Sequence, residues 1–217
     1  MPAQGALRDG RETGFHLIET MRWEPGAGIK RADLHMARLA ASAAAFEISF
    51  DPAAIRSHLA ALEADAPLRV RIALDRDGAT VETWPFLPLD KGAIWKLKVA
   101  SRRLDSADPF LRHKTSRRAA YEAARAEFPA TEADEVLLLN EKDEVCEGTI
   151  TTLFVKWAEG PFVTPPLSCG LLAGVLREQL LADGDAVEAV VRLEGIEAAS
   201  GIFVGNSLRG LIPATLA

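Results

Sequence analysis

The chain has 217 residues, which fits one or two domains, and its 48% hydrophobic and 26% charged residues can build a core without disulfide or metal staples. Acidic residues outnumber basic ones, 31 to 25, for a formal net charge of −6, which weighs against a nucleic-acid partner. Two cysteines, Cys146 and Cys169, make no disulfide framework and fit a reducing compartment. The polar start lacks the apolar segment of a secretory signal, and no apolar run is long enough to span a membrane. The expectation is a cytoplasmic protein without a membrane partner.

Residues 1–13 read as a loosely docked start. Phe15 to Trp23 reads as a strand with Phe15, Leu17, Glu19 and Met21 on one face and His16, Ile18, Thr20 and Arg22 on the other. Glu19 among apolar neighbours marks either the border of a polar pocket or an edge strand. Pro25 to Gly28 is a turn. Asp33 is the expected N-cap of a helix to about Phe46, with Leu34, Leu39, Ala43 and Phe46 on its apolar face and His35 beside Arg38 one turn apart. Asp51-Pro52 opens a second helix. Leu68 to Leu74 alternates strictly, Asp77-Gly78 turns the chain, and Thr80 to Trp84 returns, which is a hairpin. Ile94 to Ala100 is a further strand.

Leu104 to Phe110 reads as a linker. A helix is expected from about Ser116 to Glu127, stopped by Pro129, with Tyr121, the only tyrosine, inside it. Strands follow at Glu135–Leu139, Glu144–Cys146, within Thr149–Trp157 and at Phe162–Thr164. A helix runs from Gly174 to about Ala182, and strands are expected at Ala186–Val191, Gly201–Gly205 and Leu211–Pro213. The layer pattern is α+β: an N-terminal domain over 1–103, a linker over 104–110 and a C-terminal domain over 111–217.

The chemistry centres on Leu111-Arg112-His113-Lys114-Thr115-Ser116-Arg117-Arg118. Only seven of the 25 basic residues are lysines, so an amine set among Arg112, Arg117 and Arg118 stands out. An amine, unlike a guanidinium, loses its proton readily near other cations or on burial, and then acts as a nucleophile. Lys114 is therefore either a solvated lysine at a basic helix start or the amine that forms a Schiff base with an aldehyde cofactor. Three further stretches bear on this choice. Glu147, between a strand and Gly148, is either a turn residue facing water or the partner of a cationic ring nitrogen. Gly170 to Arg177 sets two glycines before a helix, whose N-terminal amides and dipole suit a phosphate. Gly205-Asn206-Ser207-Leu208-Arg209-Gly210 is either a plain loop or a source of donors to an anion. A ligand with a phosphate, a cationic ring nitrogen and an aldehyde fits all of them, and pyridoxal 5′-phosphate is such a ligand. The histidines and cysteines show no metal-ligand spacing, so no metal is expected.

Five stretches, in order, resemble the class IV aminotransferases, the D-amino-acid aminotransferase-like pyridoxal-phosphate enzymes. They are Ile18-Glu19-Thr20-Met21-Arg22, His35-Met36-Ala37-Arg38-Leu39, Glu147-Gly148 with Thr152-Leu153-Phe154 and then Val163-Thr164, Leu172-Ala173-Gly174-Val175-Leu176-Arg177, and Asn206-Ser207-Leu208-Arg209-Gly210. The resemblance implies fold type IV: a small N-terminal α+β domain and a C-terminal pseudobarrel α/β domain, with the cofactor in the cleft and a homodimer completing the site. It implies that Lys114 holds the cofactor and moves the substrate proton, that Glu147 pairs with the pyridine nitrogen, and that Arg38 binds the phosphate. The amides of Gly174 and Val175 and the Asn206-Ser207 turn would hold the remaining phosphate oxygens.

Within the family, Leu17 to Trp23 looks most like the 4-amino-4-deoxychorismate lyases of folate biosynthesis, which release 4-aminobenzoate and pyruvate. Aminodeoxychorismate synthase is then a possible pathway partner. Substrate carboxylates would meet His16, Thr20, Arg112, Arg117 or Arg209. The alternatives are a branched-chain or D-amino-acid transaminase of the same fold and a non-catalytic anion-binding relative. Two departures stand out. Thr152 occupies the family's usual asparagine position, and the usual strand before the first motif is missing, which bears on the dimer and the pocket wall.

Overall fold

The computed structural model describes residues 14–217; the loose start expected over 1–13 lies outside them. The chain divides into two compact units, one running to Pro88 and taking in His113–Arg117, the other made of Leu89–Arg112 and Arg118–Ala217.

The first unit holds a four-stranded antiparallel sheet in the order β2-β1-β3-β4, from β1 (Leu17–Glu24), β2 (Gly28–Ile29), β3 (Leu68–Leu74) and β4 (Ala79–Pro85). The expected alternation is present: Leu17, Glu19, Met21 and Trp23 are buried, while Ile18, Thr20 and Arg22 are half-buried. Their partners on β3, Val70, Ile72 and Leu74, bury the same face. Helices α1 (Ala32–Ala45) and α2 (Pro52–Ala60) complete this unit. Asp51 caps α2, accepting from the amides of Ala53 and Ala54, with Pro52 in the first turn. Asp33 does not cap α1. The cap is Arg31, in the left-handed region at φ 58, and Asp33 sits in the first turn, paired with Arg56 at 3.0 Å. The buried stripe of α1 is His35, Met36, Leu39, Ser42 and Ala43, so the helix brings two polar groups inward where the sequence suggested only apolar ones.

The second unit is an eight-stranded mixed sheet in the order β10-β9-β8-β11-β12-β5-β6-β7. Its strands are β5 (Trp95–Leu104), β6 (Glu135–Asn140), β7 (Val145–Gly148), β8 (Thr152–Lys156), β9 (Phe162–Thr164), β10 (Ala186–Glu188), β11 (Gly201–Asn206) and β12 (Gly210–Leu216). Helices α3 (Ala119–Arg125), α4 (Val175–Ala182) and α5 (Leu193–Ile196) lie between them in sequence.

The boundary expected at 103/104 is corrected by strand pairing. β5 runs parallel to both β12 and β6, so it is an interior strand of the second sheet. The expected linker also lies in the second unit: β5 runs on to Leu104, and Pro109–Arg112 forms a 3-10 turn. The helix expected from Ser116 begins only at Ala119.

This sheet has to curl. Four strands separate β7 from β8 in the order, five steps of about 4.8 Å if the sheet lay flat, or about 24 Å. Gly148 and Thr152 are four residues apart, so the connection reaches at most about 14 Å. The half-barrel follows from that short turn. β6 is buried on both faces: Leu137 and Leu139 enter one apolar cluster with Val145, Leu153 and Val204, while Val136 and Leu138 enter another with Ala124 of α3, Cys146 and Leu171. Among the described residues no helix is long and apolar enough to cross a membrane.

Candidate functional site

In the first unit, the Lys114 segment is an extended strap on the edge of β1. The Lys114 carbonyl accepts from the Ile18 amide at 2.8 Å, the Ser116 amide donates to the His16 carbonyl at 2.9 Å, and Leu17 and Thr115 form an antiparallel bridge. The Ser116 hydroxyl accepts from the His16 amide at 3.1 Å. Ahead of Lys114, the His113 Nδ1 lies 2.9 Å from the Ser42 hydroxyl on α1, and its ring meets Phe46 edge-on at 5.0 Å. Lys114 is thus half-buried, five residues ahead of α3, and anchored on both sides by backbone and histidine contacts rather than placed on a basic helix start.

Beneath β1 the same unit holds a buried carboxylate. Glu19, 1% exposed, takes the Arg38 Nε on one oxygen at 2.8 Å and the Arg38 Nη2 on the other at 2.6 Å. His35 Nδ1 lies 2.6 Å from the second oxygen. A carboxylate only accepts, so the Nδ1 carries the proton. Burial opposes the charge on Glu19, but Arg38 and His35 outweigh it and hold its pKa down at about 2. Burial pushes the His35 imidazole below its ordinary value against the pull of Glu19. Two of Arg38's five N–H donors therefore set the plane of its guanidinium from behind. Of the expected substrate contacts in this unit, His16 lies 3.0 Å through its Nε2 from Arg71 Nη2, Thr20 sits on β1 opposite Arg71, and Arg117 is exposed.

In the second unit a β-bulge decides where Glu147 points. Leu139 faces Val145, but Leu138 faces Glu147 and Leu137 faces Gly148, so β7 carries one extra residue. Without it, Glu147 would share the side of Val145. The extra residue turns both Cys146 and Glu147 to the face of Leu138, the face covered by α3. There Glu147, 5% exposed, accepts from the Tyr121 hydroxyl at 2.8 Å and from the Leu172 amide at 3.1 Å, both on Oε1. It is a buried strand residue, not a turn residue facing water.

The turn after Glu147 is pinned by a carboxylate that the sequence reading passed over. Glu135, wholly buried on β6, accepts from the Thr149 amide and hydroxyl, the Ile150 amide and the Thr151 hydroxyl, at 2.5 to 3.1 Å. A side chain at Gly148 would put its Cβ 2.8 Å from the Glu135 carboxylate. From the other side the Asn206 amide nitrogen donates to the Ile150 carbonyl at 3.1 Å, while its oxygen accepts from the Arg209 amide at 3.0 Å. Gly174 is the N-cap of α4 and has no side-chain cap; a Cβ there would lie 2.7 Å from the Thr152 hydroxyl. A Cβ on Gly205 would lie 2.9 Å from Leu176.

The three stretches singled out in this half of the sequence therefore meet in one place. Glu147 binds the backbone at Leu172, two residues before Gly174, and the 149–151 turn binds Asn206, next to the buried Ser207. Arg112 does not join them through a charge. It donates to the Leu167 carbonyl, which ties down the 3-10 turn ahead of Gly170. Arg209 is half-buried beside Asn206. Tyr121 was marked by its singularity alone, and Glu135 by nothing but its place at the head of an apolar strand.

Comparison with known proteins accords with this geometry. The amino-transferase class IV family profile matches residues 16–217. A protein of Schizosaccharomyces pombe provisionally described as an aminodeoxychorismate lyase is 29% identical over 147 residues, 65% of this chain. That match spans 63% of the relative, under two thirds of its length. A crystal structure from Mesorhizobium loti, provisionally described as an amino-acid aminotransferase, superposes with a TM-score of 0.90 at 50% identity, covering 94% of this chain and 100% of that one. The 4-amino-4-deoxychorismate lyase of Pseudomonas aeruginosa shares the fold, with a TM-score of 0.76 at 23% identity over 93% of this chain and 82% of that one.

Proposed function

Because the chain belongs to the amino-transferase class IV family, whose enzymes use pyridoxal phosphate, we propose that it binds this cofactor and is a 4-amino-4-deoxychorismate lyase. The observation that carries the cofactor reading is the convergence in the second unit. A buried carboxylate, the Gly174 cradle that any side chain would fill, and the uncapped N-terminus of α4 lie within one hydrogen-bonded cluster. These groups fit a ring with a cationic nitrogen and a phosphate. When bound, pyridoxal phosphate draws electrons from the substrate's reacting carbon.

The chain's residues supply the rest. Glu147 would pair with the ring nitrogen, and the amides of Gly174 and Val175 with the Asn206-Ser207 turn would hold the phosphate; the family resemblance adds Arg38 to the phosphate set. By the same resemblance Lys114 would hold the cofactor and would take the proton from the substrate carbon bearing the amine. In 4-amino-4-deoxychorismate, loss of that proton lets the neighbouring enolpyruvyl oxygen leave with its electron pair. The ring becomes aromatic 4-aminobenzoate, and the released enolate takes up one proton at its terminal carbon to give pyruvate. Aromaticity supplies the driving force, so the protein has only to orient the substrate and move the proton.

An amino-acid transaminase is the second reading, favoured by the 50% identity to the Mesorhizobium loti structure. Incubation of the purified, cofactor-loaded protein with 4-amino-4-deoxychorismate, beside a panel of amino and keto acids, separates the two. Release of 4-aminobenzoate and pyruvate in equal amounts supports the lyase. A new amino acid formed from a keto acid, with no 4-aminobenzoate, overturns it. A protein that stays colourless with pyridoxal phosphate, or a Lys114→Ala variant that keeps the wild-type yellow colour, overturns the cofactor reading itself.

A further inference from the structure

The bulge on β7 sends Glu147 toward a short helix that offers a hydrogen-bond donor. α3 opens at Arg118 and carries Tyr121 in its first turn. The Tyr121 hydroxyl donates to Glu147 Oε1 at 2.8 Å, and the Leu172 amide donates to the same oxygen at 3.1 Å. Tyr121 is itself held from behind. The Arg118 guanidinium lies over its ring, 5.0 Å from the centroid, and also donates to the Thr149 carbonyl at 2.7 Å. One arginine thus ties the tyrosine ring to the turn that follows Glu147, and Glu135 grips that turn from inside the sheet. Burial and the neighbouring carboxylate both push the Tyr121 phenol above its ordinary value, so it remains a donor at any physiological pH.

We propose that Tyr121 is a positioning residue for the cofactor: with the Leu172 amide it fixes the Glu147 carboxylate in one orientation, so that its charge meets the cofactor's ring nitrogen without reorganising. The inference rests on the pyridoxal phosphate reading above. A buried carboxylate with one fixed oxygen loses little freedom when it pairs with a ring, and this preorganisation appears as cofactor affinity. Arg118 acts through Tyr121 and the Thr149 carbonyl.

The test is binding, read without turnover. Dissociation constants are measured by absorbance titration for wild type and Tyr121→Phe, with pyridoxal phosphate and with its 1-deaza analogue, in which a C–H replaces the ring nitrogen. Losing one hydrogen bond to a charged group predicts about tenfold weaker binding of pyridoxal phosphate by the variant, and less than about twofold for the analogue. An equal penalty for both ligands, or none for pyridoxal phosphate, overturns the positioning role. Wild type that binds neither ligand overturns the function proposal instead. Should Tyr121→Phe fail to fold, the sole tyrosine permits a second route, because biosynthetic 3-fluorotyrosine then labels residue 121 alone. Its fluorine resonance should move on addition of pyridoxal phosphate and stay in place with the analogue. The same shift with both ligands overturns the proposal.

Discussion

Glu19→Gln is the most direct test of the polar cluster under β1, because it removes a charge and almost nothing else. The carboxylate is wholly buried, with both oxygens committed to Arg38 and one of them also to His35. Burial raises its pKa, and the Arg38 charge, with hydrogen bonds from His35 and Arg38, overcomes that and brings it from 4.5 to about 2. The folded state therefore prefers the ionised form over the unfolded chain by about 3 kcal/mol. Glutamine keeps the shape but removes the carboxylate charge that faces the Arg38 guanidinium. Breaking a buried pair from one side costs about 3–5 kcal/mol, and the retained amide oxygen puts the expected loss at the lower end.

The sign of the pH dependence separates this mechanism from ordinary packing damage. A depressed carboxylate pKa stabilises the folded state above pH 4.5, and that stability is lost as the pH falls toward 2. The gap between wild type and Glu19→Gln should thus be about 3 kcal/mol at pH 7 and should close progressively below pH 4.5. Urea unfolding of both proteins at a series of pH values measures it, since every other carboxylate cancels in the difference. Hydrogen exchange in peptides from β1 reads the same effect within the first unit. A gap that stays constant from pH 7 to pH 3, or one under about 1 kcal/mol at neutral pH, would refute the assigned role of the charge.

Two further outcomes follow from the second unit. Tyr121 is the only tyrosine, so absorbance at 295 nm reports its phenol alone; the folded protein should show no ionisation through the ordinary value of 10.0, and the signal should appear near that pH only after unfolding. Titration of the folded protein near pH 10 would mean that the Glu147 contact does not exist in solution. Gly174→Ala should cost about 1–3 kcal/mol through its 2.7 Å approach to the Thr152 hydroxyl, and Thr152→Ala in the same chain should return most of it. Thermal melts of the two single variants and the double variant measure the coupling; additive effects would place the strain elsewhere.

Much of the layout was legible because local signals and tertiary structure agreed. The strict alternation of Leu68 to Leu74, the Asp51-Pro52 helix start and the Gly174 helix start all stand where the sequence puts them. The failures share a cause. Asp33 has the right chemistry for a cap, but the chain turns at Arg31 in a left-handed conformation, which no side-chain preference announces. The strand at Trp95–Leu104 follows the first unit's hairpin in sequence, and only its parallel pairing with β12, more than a hundred residues later, assigns it to the other sheet. Long-range pairing leaves no trace in local composition.

The same limit applies within the site, and there it carries chemical weight. Glu147 could be noticed from its neighbours, but its direction could not, because side-chain parity along β7 is reversed by one unpaired residue. Read with unbroken alternation, Glu147 would join Val145 among Leu153 and Val204, a place where a carboxylate finds only apolar neighbours. The bulge moves it to the α3 face, where a phenol and a backbone amide satisfy it. Glu135 makes the bulge affordable by gathering the donors of the 149–151 turn, which also forces the sheet to curl. Glu135, at the head of an apolar strand, thus fixes the turn after Glu147, and its carboxylate leaves no room for a side chain at Gly148.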